Sequence, residues 1–323
     1  MRFDSLLEKA TDKSTFFDLG GYVDFAAKFL DFIQDSLQAR IVSRNEPHYQ
    51  FFQYGEYAGY QVTRPINTRL MIAPDEFQAQ HRIFVEALDG LRSGVTPQAV
   101  SRQTINRFVY TLQQTIGATL DGLPAGSSNR ARKLNGDLFE QLVRLTLVQV
   151  GVPCVSGTVR IPVDMGEYTA PDMDFVMSFQ QDLIVKQGEV IQMIGSVKTS
   201  SKDRLDKIFM DRFLFDRLTK THIPHVAVFL QDVQRKGTRD RLGINPTFLP
   251  GHFKAFTVTL NPLDGVYYCD PRPNMQTDEM LRRHIHLFDK LICDDIWRYR
   301  QSDGLRAIVR EGAENYETDD AHE

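Results

Sequence analysis

Between Thr169 and Asp211 the chain carries two carboxylates, a lysine and a further acid in an order that suits phosphate chemistry. Asp172 and Asp174 stand two apart at the start of an apolar run, so on a strand their side chains share a face. Lys198 closes a later apolar and β-branched run, VIQMIGSVK, and a charged helix follows at once. Hydrolysing a phosphodiester requires a water of lowered pKa and a counter-charge for the phosphate and the leaving oxygen. A carboxylate-held Mg²⁺ supplies both. Mg²⁺ prefers hard oxygen ligands and takes only one or two from protein carboxylates, so Asp172 and Asp174 are alternatives that the sequence does not separate. An ammonium at Lys198 would position the water or support the transition-state charge.

Ser196 stands two residues before Lys198 and is a poor Mg²⁺ ligand, so a second acid has to come from elsewhere. Asp211 is the candidate metal ligand. It lies seven residues beyond Arg204, on the same face of the following helix, with Ile208 between. The plain alternative is a salt bridge to Lys207 or Arg204. A third acid, Glu140, sits near the start of the helix LNGDLFEQLVRLTLVQVGVP, between positions that face a core: Phe139, Leu142, Val143, Leu147 and Val150. It would contact the metal or the lysine, or stand as an ordinary helix carboxylate.

These residues need a scaffold of alternating strands and helices. The helix from Asn135 stops at Gly151 and Pro153. Strand-like runs follow: VPCVSGTVRIPV, DFVMSF, DLIVK and EVIQMIGSVK, the last three as a meander. A helix from Lys202 to about Thr219 and a strand HVAVFL come next. FKAFTVTL reads as another strand, and Thr277 to about Tyr299 as a helix. The expectation is the α/β class, a mixed sheet flanked by helices.

The N-terminal region reads as mainly helical. Phe25, Phe29, Phe32 and Ile33 mark one buried face, and two further helices each open with a proline, near Pro74–Leu91 and Pro97–Leu120. VTPQAVSRQTINRF has the texture of a helix-turn-helix reader, although any packed helix can display Arg102, Gln103 and Arg107. In HYQFFQYGEYAGYQVTRP the aromatics Phe51, Phe52, Tyr54, Tyr57 and Tyr60 suit core and hairpin surface better than a platform for a displaced base. Gly, Pro and Ser gather in DGLPAGSSNRARK, which places a boundary near Ser127.

Composition excludes several classes. No apolar run is long enough to span a bilayer, and the first residues do not start a secretory signal, so a cytoplasmic protein is expected. Cys154, Cys269 and Cys293 form no CxxC pair, and His222, His225 and His252 lack zinc spacing. The net charge of −4 opposes nucleic-acid binding only superficially. Six acidic residues fall in the last thirteen positions, and without them the balance becomes +2. Residues 303–323 read as an acidic tail without fixed structure. Arg235, Lys236, Arg239 and Arg241 form a basic loop suited to phosphates.

The order SVK, a Thr-Ser turn, the triplet KDR and an acid in mid-helix resembles the EcoRII-like branch of type II restriction endonucleases, which have the PD-(D/E)XK nuclease fold. The resemblance covers about residues 129–230. It implies that Lys198 is the catalytic lysine, that Asp172 or Asp174 is the strand acid, and that Asp211 stands where the branch usually has Glu. Glu140 matches the acidic helix before the sheet. It further implies that Lys202, Asp203 and Arg204 read bases. Independently, Arg and Lys donate to guanine O6 and N7, and Asp accepts from cytosine N4. The expected protein is a Mg²⁺-dependent homodimer that cuts double-stranded DNA at a palindrome with CC/GG half-sites and leaves 5′-phosphates. On this reading residues 1–127 serve DNA contact or dimerisation and residues 128–302 form the nuclease domain. The rivals are a repair or structure-selective nuclease of the same fold, and a DNA-binding regulator with an inactive nuclease domain.

Overall fold

The computed structural model describes residues 2–54, 62–124, 126–163, 175–237 and 241–311. The N-terminal region is mainly helical, with α1 (Phe3–Thr11), α2 (Leu19–Asp35), α3 (Phe77–Arg92) and α4 (Ala99–Leu120). A small antiparallel sheet joins β1 (Leu37–Val42), β2 (Tyr49–Tyr54) and β3 (Ile66–Asn67) in that order. Phe51, Phe52 and Tyr54 are buried in this sheet, while Tyr57 and Tyr60 lie outside the described residues.

Helix α4 is the hub. From Phe108 through Leu120 every residue is buried, the signature of a helix packed on all sides. It touches α1, α2, α3 and the following helix, α5 (Ser128–Gln149). The stretch VTPQAVSRQTINRF feeds this buried helix rather than presenting a reader. Thr104, Ile105 and Asn106 are buried, and Arg102 is occupied by ion pairs to Asp289 and Asp294.

The main sheet has eight strands: β4 (Cys154–Val163), β5 (Phe175–Gln187), β6 (Val190–Lys198), β7 (His225–Gln231), β10 (Gly265–Asp270), β11 (Ile285–Leu287), β12 (Leu305–Arg306) and β13 (Ile308–Glu311). Their order is β11-β10-β7-β6-β5-β4-β13, with β12 added on β6. Pairing is antiparallel from β13 to β6 and parallel from β6 to β11. One face, with Leu183, Val185, Met193, Val197, Val226 and Val228, shares a core with the N-terminal helices and α5. The other, with Ala227, Phe229, Val266 and Tyr268, packs on α6 (Leu205–Thr219) and α7 (Pro250–Thr259). A two-stranded ribbon, β8 (Val233–Lys236) with β9 (Gly243–Pro246), stands apart from the sheet. The mixed α/β architecture is as expected, and the core runs without interruption across position 127.

Four elements differ from the sequence reading. DFVMSF and DLIVK belong to one strand, β5, because Gln180 and Gln181 continue the ladder opposite Thr158 and Gly157 instead of turning, and the strand runs on through Asp182. FKAFTVTL is helix α7. Its aromatic and β-branched residues suggest a strand, but Pro250 opens a helix at its first turn and burial recurs at Phe253 and Thr257, four apart. The helix expected over Thr277–Tyr299 is broken into short pieces around β11, with a π-turn at Leu291–Asp295. The expected tail starts inside the sheet, since β13 pairs with β4 from Ile308↔Arg160 to Glu311↔Gly157. Gly157 is required by that approach, because a Cβ there would lie 2.5 Å from the Arg310 carbonyl oxygen.

Candidate active site

The pairing of β4 with β5 contains a bulge. Val155 opposes Ile184 and Gly157 opposes Gln181, so two steps along β4 match three along β5. The surplus falls at Asp182–Leu183, and it reverses the alternation of side chains along the strand. Phe179 and Ile184 therefore pack in the same cluster despite their odd separation. Leu183 enters the core shared with α5, and Asp182 is turned beside it. The β5–β6 ladder ends at Leu183↔Gly195, whereas β6 stays paired with β7 through Lys198↔Phe229. Where β6 parts from β5, the Val197 N–H donates to Asp182 Oδ2 at 2.8 Å instead of to a backbone carbonyl.

Lys198 completes the cluster. Its Nζ donates to Asp182 Oδ2 at 2.5 Å and to Glu140 Oε1 at 2.8 Å. Glu140 arrives from α5, whose Leu138, Phe139, Leu142 and Val143 are buried against the sheet and neighbouring helices. Burial raises the Glu140 carboxyl, the Asp182 charge raises it further, and Lys198 only partly offsets them, which leaves it at about 7. Burial opposes the charge on Lys198, but Asp182 and Glu140 outweigh it, and the ammonium is held above its ordinary value. This lysine is a fixed cation rather than a general base.

The donor set suits a hard divalent ion. Both contacts of Asp182 fall on Oδ2 and the contact of Glu140 on Oε1. That leaves Oδ1 and Oε2, two hard oxygens, without a hydrogen-bond partner in the cluster, which matches the one or two protein carboxylates Mg²⁺ usually takes. Among the described residues no group of three or more His, Cys, Asp or Glu side chains converges as a metal site.

Beyond Lys198 the chain turns sharply before α6. Asp232, fully buried at the end of β7, holds that turn. It accepts from Ser200 Oγ at 2.9 Å, Ser201 N at 2.8 Å, Ser201 Oγ at 2.6 Å and Tyr268 Oη at 2.6 Å. Lys202, Asp203 and Arg204 follow, all exposed, with Asp203 in the left-handed region at φ 56°. They precede α6 rather than opening it. A cavity of about 540 Å³ lies beside them, lined among others by Lys202, Asp203, Gln234, Asn245 and His252.

Of the expected site residues, the structure brings Glu140 and Lys198 together and adds Asp182. It places Asp211 on α6, where its Oδ2 meets Lys207 Nζ at 2.5 Å, the plain i,i+4 ion pair. Asp172 and Asp174 lie outside the described residues, as do Arg239 and residues 312–323. Asp182 escaped because it reads as the opening residue of a separate strand, DLIVK. The available signal was the hairpin about Gly188, which pairs β5 with β6 as far as Leu183↔Gly195 and so brings Asp182 close to the end of β6 that carries Lys198.

No protein-family model matches the sequence, and a search of curated proteins found no match. Among solved structures, the fold is similar to that of a restriction endonuclease. The type IIP restriction endonuclease Kpn2I superimposes with a TM-score of 0.68 at 15% identity, over 94% of this chain and 99% of that one. A restriction endonuclease PspGI–substrate DNA complex aligns with a TM-score of 0.40 at 14% identity, over 68% of this chain and 92% of the other. No helix among the described residues is long and apolar enough to cross a membrane.

Proposed function

We propose that the protein is a type II restriction endonuclease, a Mg²⁺-dependent homodimer that cuts double-stranded DNA at a palindrome with CC/GG half-sites. The observation that carries this reading is the Glu140–Asp182–Lys198 cluster, set where β6 parts from β5 and next to the exposed Lys202–Asp203–Arg204 turn. The Kpn2I likeness in fold supports it. Magnesium, when bound, lowers the pKa of a water and neutralises phosphate charge. Asp182 and Glu140 would hold it through Oδ1 and Oε2, and Asp182 would then be the strand acid of the site. Lys198, kept protonated, donates to a non-bridging phosphate oxygen as negative charge builds there. Water attacks phosphorus in line and the 3′ oxygen leaves, so the products carry 5′-phosphates. The Asp232-anchored turn presents Lys202 and Arg204 as donors for guanine, and Asp203 as an acceptor for cytosine N4. A palindrome is met by two equivalent readers, hence the homodimer.

The test is a digest of unmethylated plasmid and phage DNA with Mg²⁺, beside a no-metal control and Lys198→Ala, followed by end-sequencing. Discrete fragments ending at one CC…GG palindrome, absent in both controls, are expected. Smearing or structure-selective nicking would replace the restriction reading with a repair-type nuclease. Specific binding without cleavage under Mg²⁺ or Mn²⁺ would point to a regulator with an inactive nuclease domain.

A further inference from the structure

The ribbon β8–β9 has two unlike faces. Its register pairs Val233↔Pro246, Gln234↔Asn245, Arg235↔Ile244 and Lys236↔Gly243. Alternation sends Val233, Arg235 and Ile244 to one side and Gln234, Asn245 and Lys236 to the other. The first side is anchored. Val233 and Ile244 pack with Tyr49, Phe51 and Val62, and Arg235 Nη1 donates to the Val62 carbonyl at 2.6 Å. The second side is open, with Gln234, Lys236 and Asn245 all exposed.

The open face adjoins the triplet. Lys202 Nζ donates to Gln234 Oε1 at 3.3 Å, and Gln234, Asn245, Lys202 and Asp203 line the same cavity of about 540 Å³. Residues directly opposite each other on a strand pair have Cβ atoms about 5 Å apart, so the Gln234 and Asn245 carboxamides can reach the same stretch of a duplex together. A DNA major groove admits a two-stranded ribbon, and a carboxamide is the side chain that pairs in bidentate fashion with adenine N6 and N7. The Lys202 contact uses one lone pair of Gln234 Oε1, leaving the second to accept and Nε2 to donate, so the amide is oriented without being consumed.

We propose that the β8–β9 ribbon is a second base-reading element, in which Gln234 and Asn245 select an A·T pair flanking the bases read by Lys202–Asp203–Arg204. The full recognition site is then longer than its CC/GG core. This inference rests on the DNA-binding part of the proposed function, and the test separates it from cleavage. Randomised duplexes are selected by binding to the full-length protein with Ca²⁺ in place of Mg²⁺, and the bound pool is sequenced for wild type, Gln234→Ala and Asn245→Ala. Both substitutions are on an exposed face, and ratios within one pool do not depend on total affinity. The wild-type pool should favour adenine about tenfold or more at one position per half-site outside the core. Each variant should lose that preference. A pool that is sequence-selective but indifferent outside the core overturns the ribbon reading, as do variants that keep the flanking preference, or a pool with no selectivity. If the flanking preference is present and ribbon-dependent but no duplex is ever cut with Mg²⁺, the ribbon stands and the nuclease reading falls.

Discussion

Asp182 and Lys198 meet at 2.5 Å where two neighbouring strands separate, and the same Asp182 oxygen also caps the Val197 amide. The carboxylate thus does what a strand carbonyl would have done for the ladder, while it sets the position of the cation. Backbone pairing and the geometry of the candidate site are tied through one atom.

Lys198→Ala should cut the cleavage rate by about 10²- to 10³-fold, the cost of losing one preorganised donor to a developing oxyanion. DNA binding in Ca²⁺ should persist. Single-turnover cleavage and a gel-shift titration on one duplex separate the two effects.

Asp182→Asn should be at least as damaging, because it removes a ligand oxygen and leaves Lys198 with one anionic partner instead of two. Its Oδ1 can still accept from Val197, so thermal melting should shift little. Asp172→Asn and Asp174→Asn, assayed in parallel, show whether either shares the role. A cleavage rate for Asp182→Asn close to wild type would remove it from the site.

Asp211→Ala should leave cleavage within a few-fold of wild type and cost no more than about 0.5 kcal/mol, as expected for an exposed i,i+4 pair with Lys207. A collapse of activity on the scale of Lys198→Ala, restored by raised Mn²⁺, would instead make it a metal ligand.

Asp232→Ala strips three hydrogen bonds from the turn, and those from Tyr268 and Thr247 besides, and leaves buried Ser201 and Tyr268 donors unpaired. Each such donor costs about 1–3 kcal/mol, so urea unfolding should show a loss of several kcal/mol. Tyr268→Phe with wild-type Asp232 should lose far less and keep site selection.

His225 is fully enclosed, and both ring nitrogens lack a hydrogen-bond partner among the described residues. Burial, helped by the Arg212 charge, pushes it down to about 3. Above pH 6.5 the ring is neutral folded or unfolded, and its contribution is fully present. Below that, the unfolded chain takes a proton that the folded chain refuses, so stability falls by about 1.4 kcal/mol per pH unit until the folded value near 3 is reached. Between pH 7 and pH 5 wild type should lose about 2 kcal/mol more than His225→Leu, measured by urea denaturation at both pH values.

The elements legible in the sequence share a physical cause. Lys198 and the α5 helix were legible because apolar periodicity marks element ends, and chemistry-bearing residues sit at those ends. The turn carrying Lys202–Arg204 was legible by position, although its anchor, Asp232, lies thirty residues on and has no local pattern. Asp182 was hidden because a bulge depends on the partner strand: one surplus residue is invisible until β4 sets the register. The segments over Phe253–Leu260 and Thr277–Tyr299 misled for the opposite reason, since packing against α6 and the sheet edge overrode local propensity.

β13 has a consequence for handling the protein. It covers the outer edge of β4, and Glu311 adds an ion pair to Lys186 at 2.5 Å. Without it, β4 would offer a row of unpaired N–H and C=O groups to any passing strand. Trimming the acidic end back to residue 302 for solubility would therefore do the reverse, turning a guarded border into a template for aggregation.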